Sequence, residues 1–338
     1  HQRLGATEEA LAAGLRALAV FDADPAADPS RRHRLLGNLG LIYKARKQSR
    51  EAREAFNRAL ELVRHMSGPD HPGVATILTN LGELALDEGN LDEARTLADE
   101  AAAIRRRALP PEHLAFADGE QLFANIAEAR KDTGAALAHL RRALDLYRRT
   151  PRPSPAKLAA LYNNLANLAV AENHFEEAIA HYRDALAGFT EVGGPDHPYT
   201  LTVESNLGEV LLALNRPEQA LPLHTHFAAV MEREYGRDHP DTAAALVAQA
   251  LNLRALNDPK AALPLLERAL PILTAAVAAG TAERGPLGLC RYALARTRAD
   301  LRQGGARQLL LLAEPDLAAD TTSLLGRLAL ADLPAARR

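Results

Sequence analysis

A period of 42 residues constrains this chain more than any other feature. The signature SGPDHP at 67–72 returns as GGPDHP at 193–198 and as YGRDHP at 235–240. From Asp196 to Asp238 is 42 residues, and from Asp70 to Asp196 is 126, three such steps. The skipped marks fall on Glu112, followed by His113, and on Ser154, followed by Pro155. One step upstream of Asp70 lies Asp28, followed by Pro29. A gapless period of this length belongs to chains that stack copies of one supersecondary unit.

The columns of this register show what the unit is. Thirteenth in successive units stand Gly40, Gly82, Ala124, Ala166, Gly208 and Ala250, all small. Twenty-fifth stand Ala52, Ala94, Ala136, Ala178, Ala220 and Ala262. Thirty-second stand Ala59, Ala101, Ala143, Ala185, Phe227 and Ala269, with Phe227 the exception. Small residues let paired helices approach to about 8–10 Å. Leu39, Leu81, Phe123, Leu165 and Leu207 precede the small column and fill the space between helices, and Gln249 breaks that series. Hydrophobic residues make up 47% of the chain with only 4% aromatic and no Trp, so Ala and Leu, both strong helix formers, carry the core. Each unit therefore reads as two helices. In the second, helix A covers 74–88, ends at Gly89-Asn90, and is followed by helix B over 92–107.

The register runs backwards as well. Ala10 and Ala17 fall on the Ala columns, and Arg16-Ala17-Leu18 repeats as Arg58-Ala59-Leu60, Arg142-Ala143-Leu144 and Arg268-Ala269-Leu270. Residues 7–22 thus form a helix B without its helix A. Together with an initial His in place of Met, this leads us to expect that the natural chain continues upstream. After about residue 280 the register loosens, Gly304-Gly305-Ala306 reads as a shifted helix connection, and 321–333 suits a terminal capping helix. We expect an all-α, right-handed superhelical solenoid of stacked antiparallel helix pairs. It divides into 1–27 (second helix of a truncated repeat), 28–279 (six repeats) and 280–338 (a degenerate repeat with capping helices). Three prolines in 150–155 stiffen one junction, where we keep the array undivided.

The Gly/Ala, Ala and Ala columns resemble the tetratricopeptide repeat. Units such as DHPGVATILTNLGELALDEGNLDEARTLADEA resemble the 42-residue repeats of kinesin light chains and their bacterial relatives. This resemblance covers about residues 7–280. Residues 290–314 (CRYALARTRADLRQGGARQLLLLAE) are similar to the tails of bacterial serine/threonine kinases that carry such repeats, although no Gly-rich loop, HRD-type loop or DFG appears in the chain.

Candidate chemistries are few. Asp beside His invites a metal or acid–base reading, but the recurrence favours a helix start. Pro suits the first helical turn, the residue before it leaves the α region, and Asp can cap. His224-Thr225-His226 places two imidazoles on divergent faces of a helix. His174, Glu177 and His181 read as a solvated helix face, and the single cysteine, Cys290, reads as packing. One cysteine excludes an internal disulfide and Cys-based zinc sites. A net charge of −3 gives no footprint for nucleic acid, and the run from Leu309 to Leu312 is too short to cross a membrane. We expect a cytoplasmic protein without cofactor or metal.

The strongest functional signal is an asparagine column. Eleventh in the units stand Asn38, Asn80, Leu122, Asn164, Asn206 and Ala248, with Asn125, Asn163 and Asn167 in neighbouring columns. Asn is a mediocre helix former, so its repetition inside helix A needs a reason. The resemblance implies that this face lines a concave groove and that its asparagines contact a peptide backbone, for which an amide offers both donor and acceptor. The alternative is that they brace neighbouring helices. Charges on that face are mixed: Arg34, Lys44 and Arg254 lie toward the ends, while Glu83, Asp87, Asp118, Glu128 and Glu209 lie nearer the middle. A bipolar ligand would match. The expected function is non-catalytic binding of a protein or peptide segment, with Asn38, Asn80, Asn125, Asn163, Asn164, Asn167, Asn206, Arg34, Lys44 and Arg254 as its site. The rival readings are a regulatory or substrate-recruiting region of a bacterial serine/threonine kinase or other signalling protein, and, further off, a metal-dependent enzyme.

Overall fold

The structure, a computed structural model, describes residues 2–23, 29–151, 153–319 and 323–336. Asp28 lies outside these, as do the first two residues of the expected terminal helix, at 321 and 322. The described residues form α-helices and turns. The first seven helices are α1 (Gln2–Ala23), α2 (Pro29–Ala45), α3 (Ser49–Ser67), α4 (Pro72–Asp87), α5 (Leu91–Ala108), α6 (Ala115–Ala129) and α7 (Thr133–Arg149). Then come α8 (Pro155–Ala171), α9 (Phe175–Gly193), α10 (Pro198–Ala213), α11 (Pro217–Tyr235), α12 (Pro240–Ala255), α13 (Pro259–Ala278), α14 (Arg284–Asp300), α15 (Ala306–Ala318) and α16 (Leu324–Ala336). Packing divides the chain between Pro153 and Ser154, at the proline run where the sequence reading keeps one array. The first unit holds α1–α7 and the second α8–α16.

Each unit stacks antiparallel pairs: α2 with α3, α4 with α5 and α6 with α7, then α8 with α9, α10 with α11, α12 with α13 and α14 with α15. First helices also touch across pairs: α2 meets α4 and α4 meets α6 in the first unit; α10 meets α12 and α12 meets α14 in the second. Direct packing between successive second helices is marginal at most. First helices are therefore the inner row of each stack.

The columns explain the pairing. Ala52, Ala94, Ala136, Ala178, Ala220 and Ala262 are all 0% exposed. A methyl group added at Gly40 would lie 2.4 Å from the Phe56 ring, and one at Gly208 would lie 2.4 Å from His224 Nε2. Turns within pairs keep the period too. Left-handed backbone falls at Lys47, Gly89, Lys131, Asn173, Asn215 and Asn257, each 42 after the last, and then at Arg302, 45 further on. Three extra residues thus enter between Asn257 and Arg302, ahead of the Gly304-Gly305 connection that joins α14 to α15 as expected. α13 is long and apolar enough to cross a bilayer. Its face of Ala262, Leu266, Ala269 and Leu273 is, however, built into a core with α12 and α14.

Two buried polar groups replace apolar ones. Arg105 occupies a column otherwise filled by residues such as Val63, Tyr147, Phe189 and Leu273. It is buried, its Nη2 donates to Thr79 Oγ1 at 2.9 Å, and burial lowers its pKa. Gly119 makes the room: a methyl group there would lie 2.8 Å from Arg105 Nη1. In the second unit His224 is fully buried, with Nδ1 accepting from Asn252 Nδ2 at 2.5 Å.

The repeated signature divides its labour in a way that corrects the sequence reading. Histidine, not aspartate, caps the helix. His71, His197 and His239 each accept through Nδ1 from the backbone N–H two residues on, at 3.1, 3.3 and 3.2 Å. His113 does the same at 3.1 Å for Ala115, where the signature is worn. The acidic residue instead ties down the far end of its own pair. Arg107 donates to Asp70 through Nε at 3.0 Å, Arg149 approaches Glu112 at 3.5 Å, and Arg233 approaches Asp196 at 3.0 Å. Each arginine lies 37 residues after its acid.

At the second unit's copy a further residue joins. The His226 ring lies between two carboxylates, with Nδ1 2.7 Å from Glu204 Oε2 and Nε2 3.1 Å from Asp196 Oδ1. Glu204 first, then Asp196, holds the His226 imidazolium above the usual histidine range. Burial pushes His224, two residues earlier, down to about 4. The two histidines act with opposite sign. A raised folded pKa gives stability that is fully present below the unfolded value of about 6.5 and is lost as pH rises through the folded pKa. The contribution of His224 is lost as pH falls from about 6.5 toward 4.

Two outcomes are expected. His197→Ala should lower unfolding free energy by about 1 kcal/mol, read as a shift in denaturant midpoint at unchanged slope, and His197→Asn should restore most of it. The stability difference between the wild type and His226→Gln should be greatest near pH 6 and shrink toward pH 9. It should stay within about 1 kcal/mol, because solvent screens a site this open. Thermal melts across that range check it, and a pH-independent difference would contradict the assignment.

Candidate peptide-binding face

All ten residues singled out from the sequence stand on first helices. Arg34, Asn38 and Lys44 lie on α2, Asn80 on α4 and Asn125 on α6, in the first unit. Asn163, Asn164 and Asn167 lie on α8, Asn206 on α10 and Arg254 on α12, in the second. The asparagines are thus carried by the inner row of each unit. Asn38 and Asn167 are exposed, while Asn80, Asn125, Asn163, Asn164 and Asn206 are half-buried.

Their surroundings differ. Asn167 Oδ1 accepts from the Tyr182 hydroxyl at 2.6 Å, so this amide braces α8 against α9. Asn163 Oδ1 is buried without a hydrogen-bond partner. A buried carbonyl left unsatisfied costs about 1–3 kcal/mol. The basic residues are largely taken up within the fold. Lys44 Nζ sits 2.7 Å from Glu83 and 3.6 Å from Asp87, and Arg254 Nε donates to Asp300 at 2.7 Å. Arg34 Nε donates to the Ser30 carbonyl at 3.1 Å. Ion pairs within the row offset the positive ends that the sequence suggests for a bipolar ligand.

The second unit brings two of these positions around one cavity. A pocket of about 250 Å³ is lined by Asn167, Val170, Ala171, Tyr182, Asn206, Glu209, Val210, Leu324 and Arg327. Asn167 and Asn206 belong to the sequence-derived set. Tyr182 does not, although it stands in the column of Phe56 and His224, the large residues that face the small column. Burial raises its hydroxyl well above the usual phenol range, so it remains a donor. Leu324 and Arg327 come from α16, and nothing in a 42-residue register marks them.

The other candidates do not converge. His226 meets Glu204 and Asp196 on opposite ring nitrogens, and His224 points away into the core. Glu177 lies 3.9 Å from His174 and 3.6 Å from His181, on an open helix face. Among the described residues, no group of three or more His, Cys, Asp or Glu is arranged to hold a metal ion. Cys290 is fully buried, and burial pushes its thiol up to about 12, out of the reactive range.

Comparison with known proteins places this architecture. The profile of the tetratricopeptide repeat family matches residues 31–107, 74–149, 119–190, 157–227 and 219–275. No curated protein sequence matches the chain. Among solved structures, BtubC (BKLC) from P. vanneervenii is 20% identical with a TM-score of 0.55, covering 69% of this chain and 91% of that one. The kinesin-light-chain TPR-like repeats of P. anserina are 22% identical with a TM-score of 0.52, covering 60% and 96%. A signal transduction ATPase with a tetratricopeptide repeat sensor, from Pyrococcus horikoshii, is 15% identical with a TM-score of 0.65, covering 89% and 46%. At these identities the likeness is one of fold. With the family profile spanning most of the chain and the small-residue columns fully buried where helices meet, the chain belongs to the tetratricopeptide repeat family.

Proposed function

We propose that this chain is a non-catalytic, cytoplasmic scaffold that binds a protein or peptide segment on the inner rows of its two stacks. The observation that carries the reading is the asparagine set on the first helices, half-buried or exposed at Asn38, Asn80, Asn125, Asn164 and Asn206. Each amide offers a donor and an acceptor to a peptide backbone. Close-packed helices hold these amides in place before binding, so a ligand pays little for ordering the site. A second reading, a regulatory region of a signalling protein such as a bacterial serine/threonine kinase, is favoured by α16. That helix lies against the inner row of the second unit. It concerns what binding serves, and a change in a kinase's activity on adding the chain tests it.

Selection of displayed random peptides on the 338-residue chain, followed by fluorescence titration of the selected segments, tests the binding reading. Asn38→Ala with Asn80→Ala should weaken segments that occupy the first unit by about tenfold or more, the cost of two hydrogen bonds. Asn164→Ala with Asn206→Ala should do the same in the second. Helicity and melting should stay unchanged in both. Binding unaffected by either pair would remove these residues from the site.

A further inference from the structure

The last helix does more than close the stack. An end cap needs to meet only the last pair, and α16 does meet α14 and α15. It also packs on α10, two pairs back. Both α10 and α14 are first helices, so α16 runs along the inner row of the second unit. Its apolar residues divide between two cores. Leu324 joins the cluster of Tyr182, Leu207 and Val210, and Leu325 joins that of Val247, Leu251 and Leu294. Both leucines are buried, while Leu328, one turn further along the helix, is 45% exposed.

The contact falls on the candidate site. Leu324 and Arg327 line the same pocket as Asn167, Asn206 and Glu209. The rest of the helix is moored elsewhere: Asp332 accepts from the Tyr292 hydroxyl at 2.7 Å and lies 3.5 Å from Arg296, while Leu333 packs with Leu310 and Leu317. α16 has 13 residues. Isolated helices of fewer than about 12–15 residues are marginal in water, so this one depends on the surface beneath it.

We propose that α16 is a resident ligand of the second unit's inner face. A partner's leucine-rich helical segment binds there by displacing it. The favoured segment has two adjacent leucines and a basic residue three positions after the first, as in Leu324, Leu325 and Arg327. The basic residue enters the pocket that Glu209 lines. α16 therefore sets the threshold for occupancy of this face, because a competing helix binds only the fraction of molecules in which α16 is lifted. The inference rests on the reading of the inner row as a binding surface.

A labelled peptide of residues 323–336, titrated by fluorescence anisotropy against the full chain, tests this. The variant Leu324→Glu/Leu325→Glu, which detaches the native helix, should bind the peptide at least about tenfold more tightly than the wild type does. Adding Asn206→Ala and Tyr182→Phe to that variant should weaken the binding again. A folded double variant that binds the peptide no better than the wild type overturns the proposal. Should the variant fail to fold, hydrogen exchange on the wild type decides. Exchange of α16 amides ahead of those in α14 and α15 supports displacement, and exchange only with global unfolding overturns it. The peptide is the chain's own, so its result is independent of the first-unit titrations: either can fail while the other stands.

Discussion

Everything in this structure depends on how closely two helices of a pair approach. The limiting contacts are the alanines at 52, 94, 136, 178, 220 and 262, none of which exposes any surface, and the glycines at 40 and 208, where no methyl group would fit. A larger residue at such a point would force the pair apart, and overpacking of this kind costs about 1–3 kcal/mol. Close approach brings the large residues Phe56, Tyr182, His224 and Leu266 onto the opposing small column and completes the core of each pair. It also sets the pitch of the stack, and so the spacing of the asparagines on its inner row. The geometry of the proposed binding face is in this sense a by-product of packing geometry.

The signature between pairs follows from the same requirement. Each pair must stop, turn and restart at a fixed offset from the last. Proline and the histidine cap define the restart, while the arginine 37 residues beyond the acid ties the end of the second helix to the start of the first. These arginine pairs lie on the surface, where each contributes little free energy. Their worth is in register: three copies of one ion pair hold three pairs to one length. The residues that suggested a catalytic dyad thus have separate tasks in different directions.

Nearly all of the helix layout was legible from the sequence, because a repeated steric demand writes itself into columns. Helix A over 74–88 corresponds to Pro72–Asp87, and helix B over 92–107 to Leu91–Ala108. Columns lose force where one copy solves its packing differently. Arg105 reads as an error in an apolar column until Gly119, in the neighbouring pair, is seen to vacate the space it fills. His224 reads as half of a histidine pair until Asn252 is found against its ring. In the candidate site, the asparagines were legible because they repeat. Tyr182 was hidden in a core column, and Leu324 and Arg327 lie beyond the last copy. The cap was misread because Asp and His stand side by side, and only geometry shows which of them reaches the free N–H.

A stack of near-identical pairs can bind selectively only where the copies differ. Some differences are resolved internally: Arg105 has Thr79 and the space above Gly119, and His224 has Asn252. The departure at Arg302 is of another kind. Three extra residues before α15 break a period that six turns have kept, and the chain then returns along its own inner row instead of adding another pair. α16 buries Leu324 in the cluster of α8–α11 and Leu325 in that of α12–α14, which a cap confined to the last pair would not do. A helix needed only to cover the stack's end has no reason to reach α10. One that reaches the pocket lined by Asn167 and Asn206 bears directly on when that face is open.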